Sequence, residues 1–488
     1  MFNRLTINYG LRYDYQDFPE PVSPNPTFAE TQSFKSDRTN FSPRIGLAYD
    51  INNDGKTVVR AGYGLYYGRT PNGTISDALT RTGILDPALN TIGINLQPTQ
   101  AGAPVFPNVL TDIPTAAAGS TSLSLLDPNF RRPRLQEINA GVERQLARNL
   151  SVSASFIYTK GDRLPVTYDI NLPAPAFSRT YQLPDGSTFS VPFSTGLTRT
   201  AAGVAQNLNA SRPNPNFGSI NEQRSIGETF YKALFVEVKR RFSNNFQFNL
   251  AYTLAKAENL SGSAGGDGSG SEGPFSGARL QNQFDPISNR AAATTDQRHR
   301  LVLNGIFNLP KIQTGNRLSR ALVNGYRLSG IYTAESGRPF SAVISLPNIP
   351  FTVNGAQYNG FGGLFGQGSS NDQNIAPSIQ RNSNYGQPNY RLDLRLARDI
   401  KLSERFTLEL IGEGFNIFNR PNFNGFATTI YSAALPTGSS ATNPPSLAAP
   451  IILNAPTNAT PFGTPNNDGS QPDGTNARRF QLAARFRF

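Results

Sequence analysis

Arg4-Leu5-Thr6-Ile7-Asn8-Tyr9-Gly10-Leu11-Arg12-Tyr13-Asp14-Tyr15 alternates without interruption. Leu5, Ile7, Tyr9, Leu11, Tyr13 and Tyr15 form one set; Arg4, Thr6, Asn8, Gly10, Arg12 and Asp14 lie between them. Successive side chains of a β-strand point to opposite faces, so this segment predicts a strand with one apolar and one polar face. Phe246, Phe248, Leu250, Tyr252 and Leu254 repeat the pattern against Gln247, Asn249, Ala251 and Thr253. Tyr390, Leu392, Leu394 and Leu396 repeat it against Arg391, Asp393, Arg395 and Ala397. The last run sets Phe480, Leu482, Ala484, Phe486 and Phe488 against Arg479, Gln481, Ala483, Arg485 and Arg487. Weaker runs lie near 41–51, 57–68, 134–147, 150–160, 229–242, 297–309, 321–336 and 405–418. The total is about twelve strands, each near the ~10 residues that a tilted strand needs to cross a bilayer.

The connections alternate in length. Short turns fall at Asn52–Lys56, near Ala147-Arg148-Asn149, at Ser243-Asn244-Asn245 and at Ser403-Glu404, with a longer one at 310–320. Between them lie stretches rich in Gly, Pro, Asn and Ser at 16–40, 69–133, 161–228, 258–296, 337–388 and 419–477. A compact soluble domain rarely carries so many long loops without structure of their own. Membrane β-barrels do, with tight periplasmic turns and long extracellular loops. The expected fold is therefore all-β: an antiparallel transmembrane β-barrel occupying residues 1–488 as one domain. If the last strand runs down to the periplasm, counting back through the connections puts the start of the first strand on the periplasmic side as well. The apolar rows then face lipid, and the Arg, Asp, Asn and Gln rows face a wet lumen or a plug. Tyr13, Tyr15, Tyr252 and Phe488 suit aromatic girdles at the two interfaces. A soluble β-sandwich also alternates, but its strands are shorter, about 5–6 residues. A β-propeller would show a repeat at blade period, and none is found.

Composition agrees. The 488 residues carry 45 Lys+Arg against 33 Asp+Glu, a formal charge of +12, yet only 16% are charged, so this is no basic tail. No basic stripe with interleaved aromatics marks a nucleic-acid surface. No apolar run reaches the length of a transmembrane helix. The mean hydropathy of −0.38 taken alone would suggest a soluble protein, but a membrane β-barrel hides its apolar band in alternate positions, so it does not decide. Cysteine is absent, so there is no disulfide framework and no thiol chemistry. Met1-Phe2-Asn3-Arg4 leads straight into strand pattern, without a secretory signal. The chain is thus expected to be the downstream part of a longer protein, or a gene product started late.

Several segments resemble known families. Arg479-Phe480-Gln481-Leu482-Ala483-Ala484-Arg485-Phe486-Arg487-Phe488 looks like the terminal strand of outer-membrane barrels. The resemblance implies that the barrel-assembly machinery reads Phe480, Leu482, Phe486 and Phe488. Ser42-Pro43-Arg44-Ile45-Gly46-Leu47-Ala48-Tyr49, Asp296-Gln297-Arg298-His299-Arg300, Ser336-Gly337-Arg338-Pro339-Phe340 and Phe415-Asn416-Ile417-Phe418-Asn419-Arg420-Pro421-Asn422-Phe423 resemble TonB-dependent receptors of the Oar-like kind. Arg60-Ala61-Gly62-Tyr63-Gly64 and Asn308-Leu309-Pro310 belong to the same likeness. It covers nearly the whole chain, as the carboxy-terminal part of that family's barrel. Family members carry an amino-terminal plug, a TonB-contacting box and about 22 strands. Neither plug nor box is visible here, and about half the strands are. The implied partners are outer-membrane lipid and lipopolysaccharide, the barrel-assembly machinery, a ligand, and the TonB system through a plug domain.

Chemistry is sparse. The single histidine, His299, precludes a two-histidine metal motif. Phosphate-binding, dinucleotide and nucleophile-elbow patterns are absent. No catalytic, cofactor or metal residue is therefore expected. Asp296 and His299 read as a hydrogen-bonded pair at the extracellular rim rather than a hydrolase dyad. Gly265-Gly266-Asp267-Gly268-Ser269-Gly270 has too few acids for a calcium loop and reads as a mobile loop. Arg391, Asp393, Arg395 and Asp399 form an inward row that would line a permeation path or pair internally. The leading expectation is a TonB-dependent receptor or transporter in a Gram-negative outer membrane. A structural or adhesive surface protein is the alternative, and an outer-membrane enzyme the third.

Overall fold

The computed structural model describes every residue except 1–3, 71, 85–104, 106, 109–121, 200–210, 261–279, 317–319, 321–322, 347–348, 368–373, 378, 441–442, 457–459 and 469–476. The Gly265–Gly270 segment lies outside the described residues.

Twelve long strands follow one another in chain order, each antiparallel to the next. They are β1 (Leu5–Tyr13), β2 (Phe41–Asp50), β3 (Thr57–Tyr67), β4 (Arg134–Ala147), β5 (Leu150–Asp169) and β6 (Ile220–Ser243). Then come β7 (Phe246–Asn259), β8 (His299–Asn308), β9 (Tyr326–Glu335), β10 (Asn389–Lys401), β11 (Thr407–Phe415) and β12 (Arg479–Arg487). Two short strands, Leu123–Leu126 and Ala291–Ala292, add to β6 and β7 and bring the sheet to fourteen. Every alternating run in the sequence corresponds to one of the twelve.

Register turns alternation into a surface. Phe246, Phe307, Leu328, Leu396, Gly412 and Leu482 stand side by side across β7–β12. Gln247, Ile306, Ser329, Arg395, Glu413 and Gln481 form the adjoining row on the other face. Among the described residues nothing covers the apolar rows: Ile7 is 52% and Leu396 44% exposed. A water-soluble sandwich would bury them, so the face belongs against lipid. In hydrocarbon, backbone groups must be paired within the protein, and antiparallel neighbours do this for β2 through β11. Among the described residues, β1 and β12 are each paired on one side only. At the β6–β7 hairpin, Asn244 and Asn245 take φ of 48° and 69°. Positive φ at both positions is the geometry that follows strand twist, and Asn tolerates it.

Two features depart from expectation. First, β5 and β6 pair as far as Asp169 and Asn221, beyond the predicted ends near 160 and 229. Alternation fails there because that part no longer has one face in lipid; Val166 and Tyr168 are instead buried with Leu280. Second, the long outer loops are not without structure. Val343–Ser345, Thr429–Ala434, Ile451–Asn454, Phe177–Gln182 and Thr188–Phe193 form a five-stranded sheet in that order. It draws on the β5–β6, β9–β10 and β11–β12 connections. A three-stranded sheet joins Phe351–Val353 and Ala356–Gly360 to Thr195–Arg199. Tyr181, Ile344, Leu364, Ile451 and Leu453 are buried together between these elements. Among the described residues the largest apolar core is thus in an extracellular cap, not in the wall. A smaller core holds helix α1 (Asn72–Thr80), where Ile75 and Ala78 meet Phe18, Leu126 and Phe130.

Candidate functional site

The polar face of β9–β12 carries a ladder of charges running the height of the wall. Near the extracellular end, Arg391 Nε donates to both carboxylate oxygens of Asp393 at 2.9 Å. The Asn416 backbone N–H donates to the same carboxylate at 2.8 Å, tying the top of β10 to the end of β11. Midway, Arg395 lies 3.6 Å from Glu413 and 3.7 Å from Glu409. Lower down, Asp399 pairs with Arg487 at 2.6 Å and reaches Arg327 at 4.0 Å. All four predicted row members lie on this one face and have ionic partners.

At the foot of the ladder stands Glu409, only 1% exposed. Arg327 donates to it at 2.6 Å, while Arg487, Arg395 and Arg485 approach within 3.3, 3.7 and 3.7 Å. One carboxylate is thus shared by four guanidinium groups from three neighbouring strands. Charge-assisted contacts of this kind are the stronger class of hydrogen bond, and here they bind β9, β10, β11 and β12 to one another. Sequence reasoning did not single out Glu409. Its alternation, Leu408-Glu409-Leu410, marks it as inward, but only the register brings the four arginines to it.

Asp296 and His299 are not a pair. The Asp296 carboxylate is fully buried and accepts from the Ala257 N–H at 2.6 Å and the Tyr385 hydroxyl at 3.4 Å. His299 Nδ1 shares a hydrogen bond with the Tyr252 hydroxyl at 2.8 Å. Strand geometry separates them: Asp296 precedes β8 and turns under the loops, whereas His299 opens the strand on its outward row.

Above the lumen the cap holds a buried cation. Arg179 donates to the Ile349 carbonyl at 2.8 Å and lies against the rings of Phe193 and Phe351. Burial lowers its pKa from the usual range. Beside it, the Tyr181 hydroxyl donates to the Leu364 carbonyl at 3.1 Å, and burial pushes its pKa up to about 12. Through these hydrogen bonds and ring contacts the two side chains hold the cap's shape.

The terminal strand presents Phe480, Leu482 and Phe486 outward, at 70%, 88% and 52% exposure, and Phe488 follows at 95%. Their row continues from Leu396 and Leu394 through Gly412 and Gly414 of β11.

The fold resembles solved outer-membrane proteins at low identity. The transporter YddB from Escherichia coli is 11% identical, with a TM-score of 0.47 over 100% of this chain and 43% of its own. The ferric-catecholate import receptor Fiu from E. coli K12 is 10% identical, with a TM-score of 0.39 over 99% of this chain and 42% of its own. The ferric preacinetobactin receptor BauA from Acinetobacter baumannii is 11% identical, with a TM-score of 0.39 over 99% and 40%. The chain spans less than half the length of these three. No curated protein matches the sequence. The outer membrane beta barrel domain family matches residues 1–481. With an apolar outer face, a charged inner face and that match, the chain belongs to the outer membrane beta barrel domain family and resides in the outer membrane of a Gram-negative bacterium.

Proposed function

We propose that this chain forms the carboxy-terminal barrel wall and cap of a TonB-dependent receptor of the Oar-like kind, within a larger barrel of about 22 strands. The cap captures a ligand, and the polar lumen admits it when a plug domain, contributed from beyond this sequence, is remodelled by the TonB system. The observation that carries this reading is the charged ladder from Arg391 to Glu409 beneath a self-packed cap. A lumen lined by paired charges is wet, and a plug held by such charges can be released without exposing apolar surface. Arg391, Asp393, Arg395 and Asp399 line that lumen. The wall binds and scaffolds; no residue does covalent chemistry. Phe480, Leu482, Phe486 and Phe488 serve as the signal for the barrel-assembly machinery, and cations near the outer strand ends meet lipopolysaccharide phosphates.

The test is uptake of labelled siderophore, cobalamin, glycan and peptide by cells with and without TonB. Uptake of one of these that depends on this gene and vanishes without TonB supports the reading. Gene-dependent uptake that persists without TonB overturns it. Surface binding without uptake points to the displayed or adhesive role, which the cap's own closed core favours.

A further inference from the structure

The outward face is not uniformly filled. Gly305 and Gly330 stand side by side on β8 and β9, in the row that runs from Phe248 to Leu394. Two adjacent positions without side chains leave a trough among Phe246, Phe248, Leu303, Phe307, Leu328 and Leu394, with a cavity volume of about 530 Å³. That is within the roughly 300–1,000 Å³ of small-molecule sites. A Cβ at Gly330 would come within 2.8 Å of Leu394 Cδ2, so a larger residue there would push the Leu394 side chain into the trough. The trough begins at Phe246, directly after the Asn244-Asn245 turn, so it opens in the periplasmic leaflet.

A cation stands at that end. Arg240 pairs with Leu150 and Phe248, which places it on the outward face. Its guanidinium lies 3.9 Å from the ring centre of Phe246, the residue at the trough's mouth. Nη2 donates to the Ser243 hydroxyl at 3.1 Å, while Nε is buried without a hydrogen-bond partner. Among the described residues no carboxylate neutralises this arginine. An apolar trough on the lipid face with an unneutralised arginine at its interfacial end fits an amphiphile with one anionic head. We propose that the trough holds an acyl chain of a periplasmic-leaflet phospholipid whose phosphate rests on Arg240.

The chain has no tryptophan, so an introduced one is a clean reporter. Leu396→Trp places it on the outward face beside the trough, and Leu234→Trp places a control six residues up β6 from Arg240, toward the extracellular end, where Leu234 pairs with Leu254. The full chain is reconstituted in phosphatidylcholine vesicles, and its fluorescence is titrated with brominated phosphatidylglycerol or brominated diacylglycerol. Heat-dependent gel mobility confirms that each variant is folded. At position 396 phosphatidylglycerol should quench preferentially, by about fivefold in relative affinity, the worth of one cation near a membrane surface. Position 234 should show no preference. Arg240→Gln should abolish the preference while leaving diacylglycerol quenching intact. Leu328→Phe, which fills the trough, should reduce quenching by both lipids. Equal quenching at 396 by the two lipids, or a preference that survives Arg240→Gln, overturns the proposal. Loss of the preference on adding inorganic phosphate also overturns it, because the site would then read a free anion rather than a lipid.

Discussion

Glu409 is stabilised by its surroundings and in turn stabilises them. Its carboxylate is buried, whereas the side chains of Arg327, Arg395, Arg485 and Arg487 keep 35–62% of their surface. Glu409→Gln would leave four guanidinium groups converging on a neutral amide. Those groups retain access to water, so the loss is smaller than for a fully buried cluster, about 1–3 kcal/mol. It should appear as a lower denaturant midpoint of the folded band, and Glu413→Gln should cost less, since among the described residues Arg395 is its one ionic partner. A pH effect belongs to Asp37, in the β1–β2 loop. Burial pushes its carboxyl up, but the Thr39 hydroxyl and N–H, donating at 2.6 and 2.9 Å, outweigh that. The Arg132 N–H and the Arg163 charge add to them, so the pKa is lowered. A carboxyl depressed in the folded state adds stability above its unfolded value, and that stability is lost as pH falls through the folded one. Hydrogen exchange should therefore show the 14–40 loop losing protection below about pH 4. Thr39→Val should move that loss to higher pH; an unchanged profile would mean that Asp37 does not hold the loop.

At the scale of elements, strands and loops were unequally legible. The wall strands each carry their own evidence, because one face in lipid and one in water forces alternation over nine or more residues. The candidate row Arg391, Asp393, Arg395 and Asp399 was legible for the same reason, since parity alone fixes its face. The cap was not legible. Its strands are three to six residues long, too short for a periodic signal. They also pair across loops far apart in sequence, as when Ile451 meets Tyr181 in parallel register. Nothing local in Ile451-Ile452-Leu453-Asn454 says which loop it joins. The cap and wall should therefore melt separately. Leu453 is fully buried in the cap, and Leu453→Ala should cost the cap about 2–5 kcal/mol. Limited proteolysis should then cut within 336–388 and 416–478 while the wall strands stay protected. Simultaneous loss of cap and wall would show that they form one cooperative unit.

For the whole molecule the decisive feature is its two edges. Tyr9 on β1 is 87% exposed and Leu482 on β12 is 88% exposed, far above their counterparts on inner strands. Side chains on a paired strand are partly covered by neighbours on both sides, so these values mark strands with one neighbour each. A free edge is untenable in hydrocarbon, because each unpaired backbone group costs several kcal/mol. Two arrangements satisfy it: β1 closes directly on β12, or further strands stand between them, as in the larger barrel proposed above. The absence of cysteine makes the choice measurable. A cysteine at Asn8 on the lumen face of β1 can be combined in turn with one at Gln481, Ala483 or Arg485 on the lumen face of β12. Directly paired strands bring such positions within the roughly 4.4–6.8 Å between Cα atoms that a disulfide spans. If further strands intervene, the edges stand several strand spacings apart, each about 4.8 Å, and no pair can bridge. The expected result in native outer membranes is no intrachain cross-link for any of the three, alongside efficient cross-linking of a control pair at Asn8 and Gly46, which face each other across β1 and β2. A cross-link between Asn8 and any β12 position would show that twelve strands close by themselves, and the larger-barrel reading would fall with it.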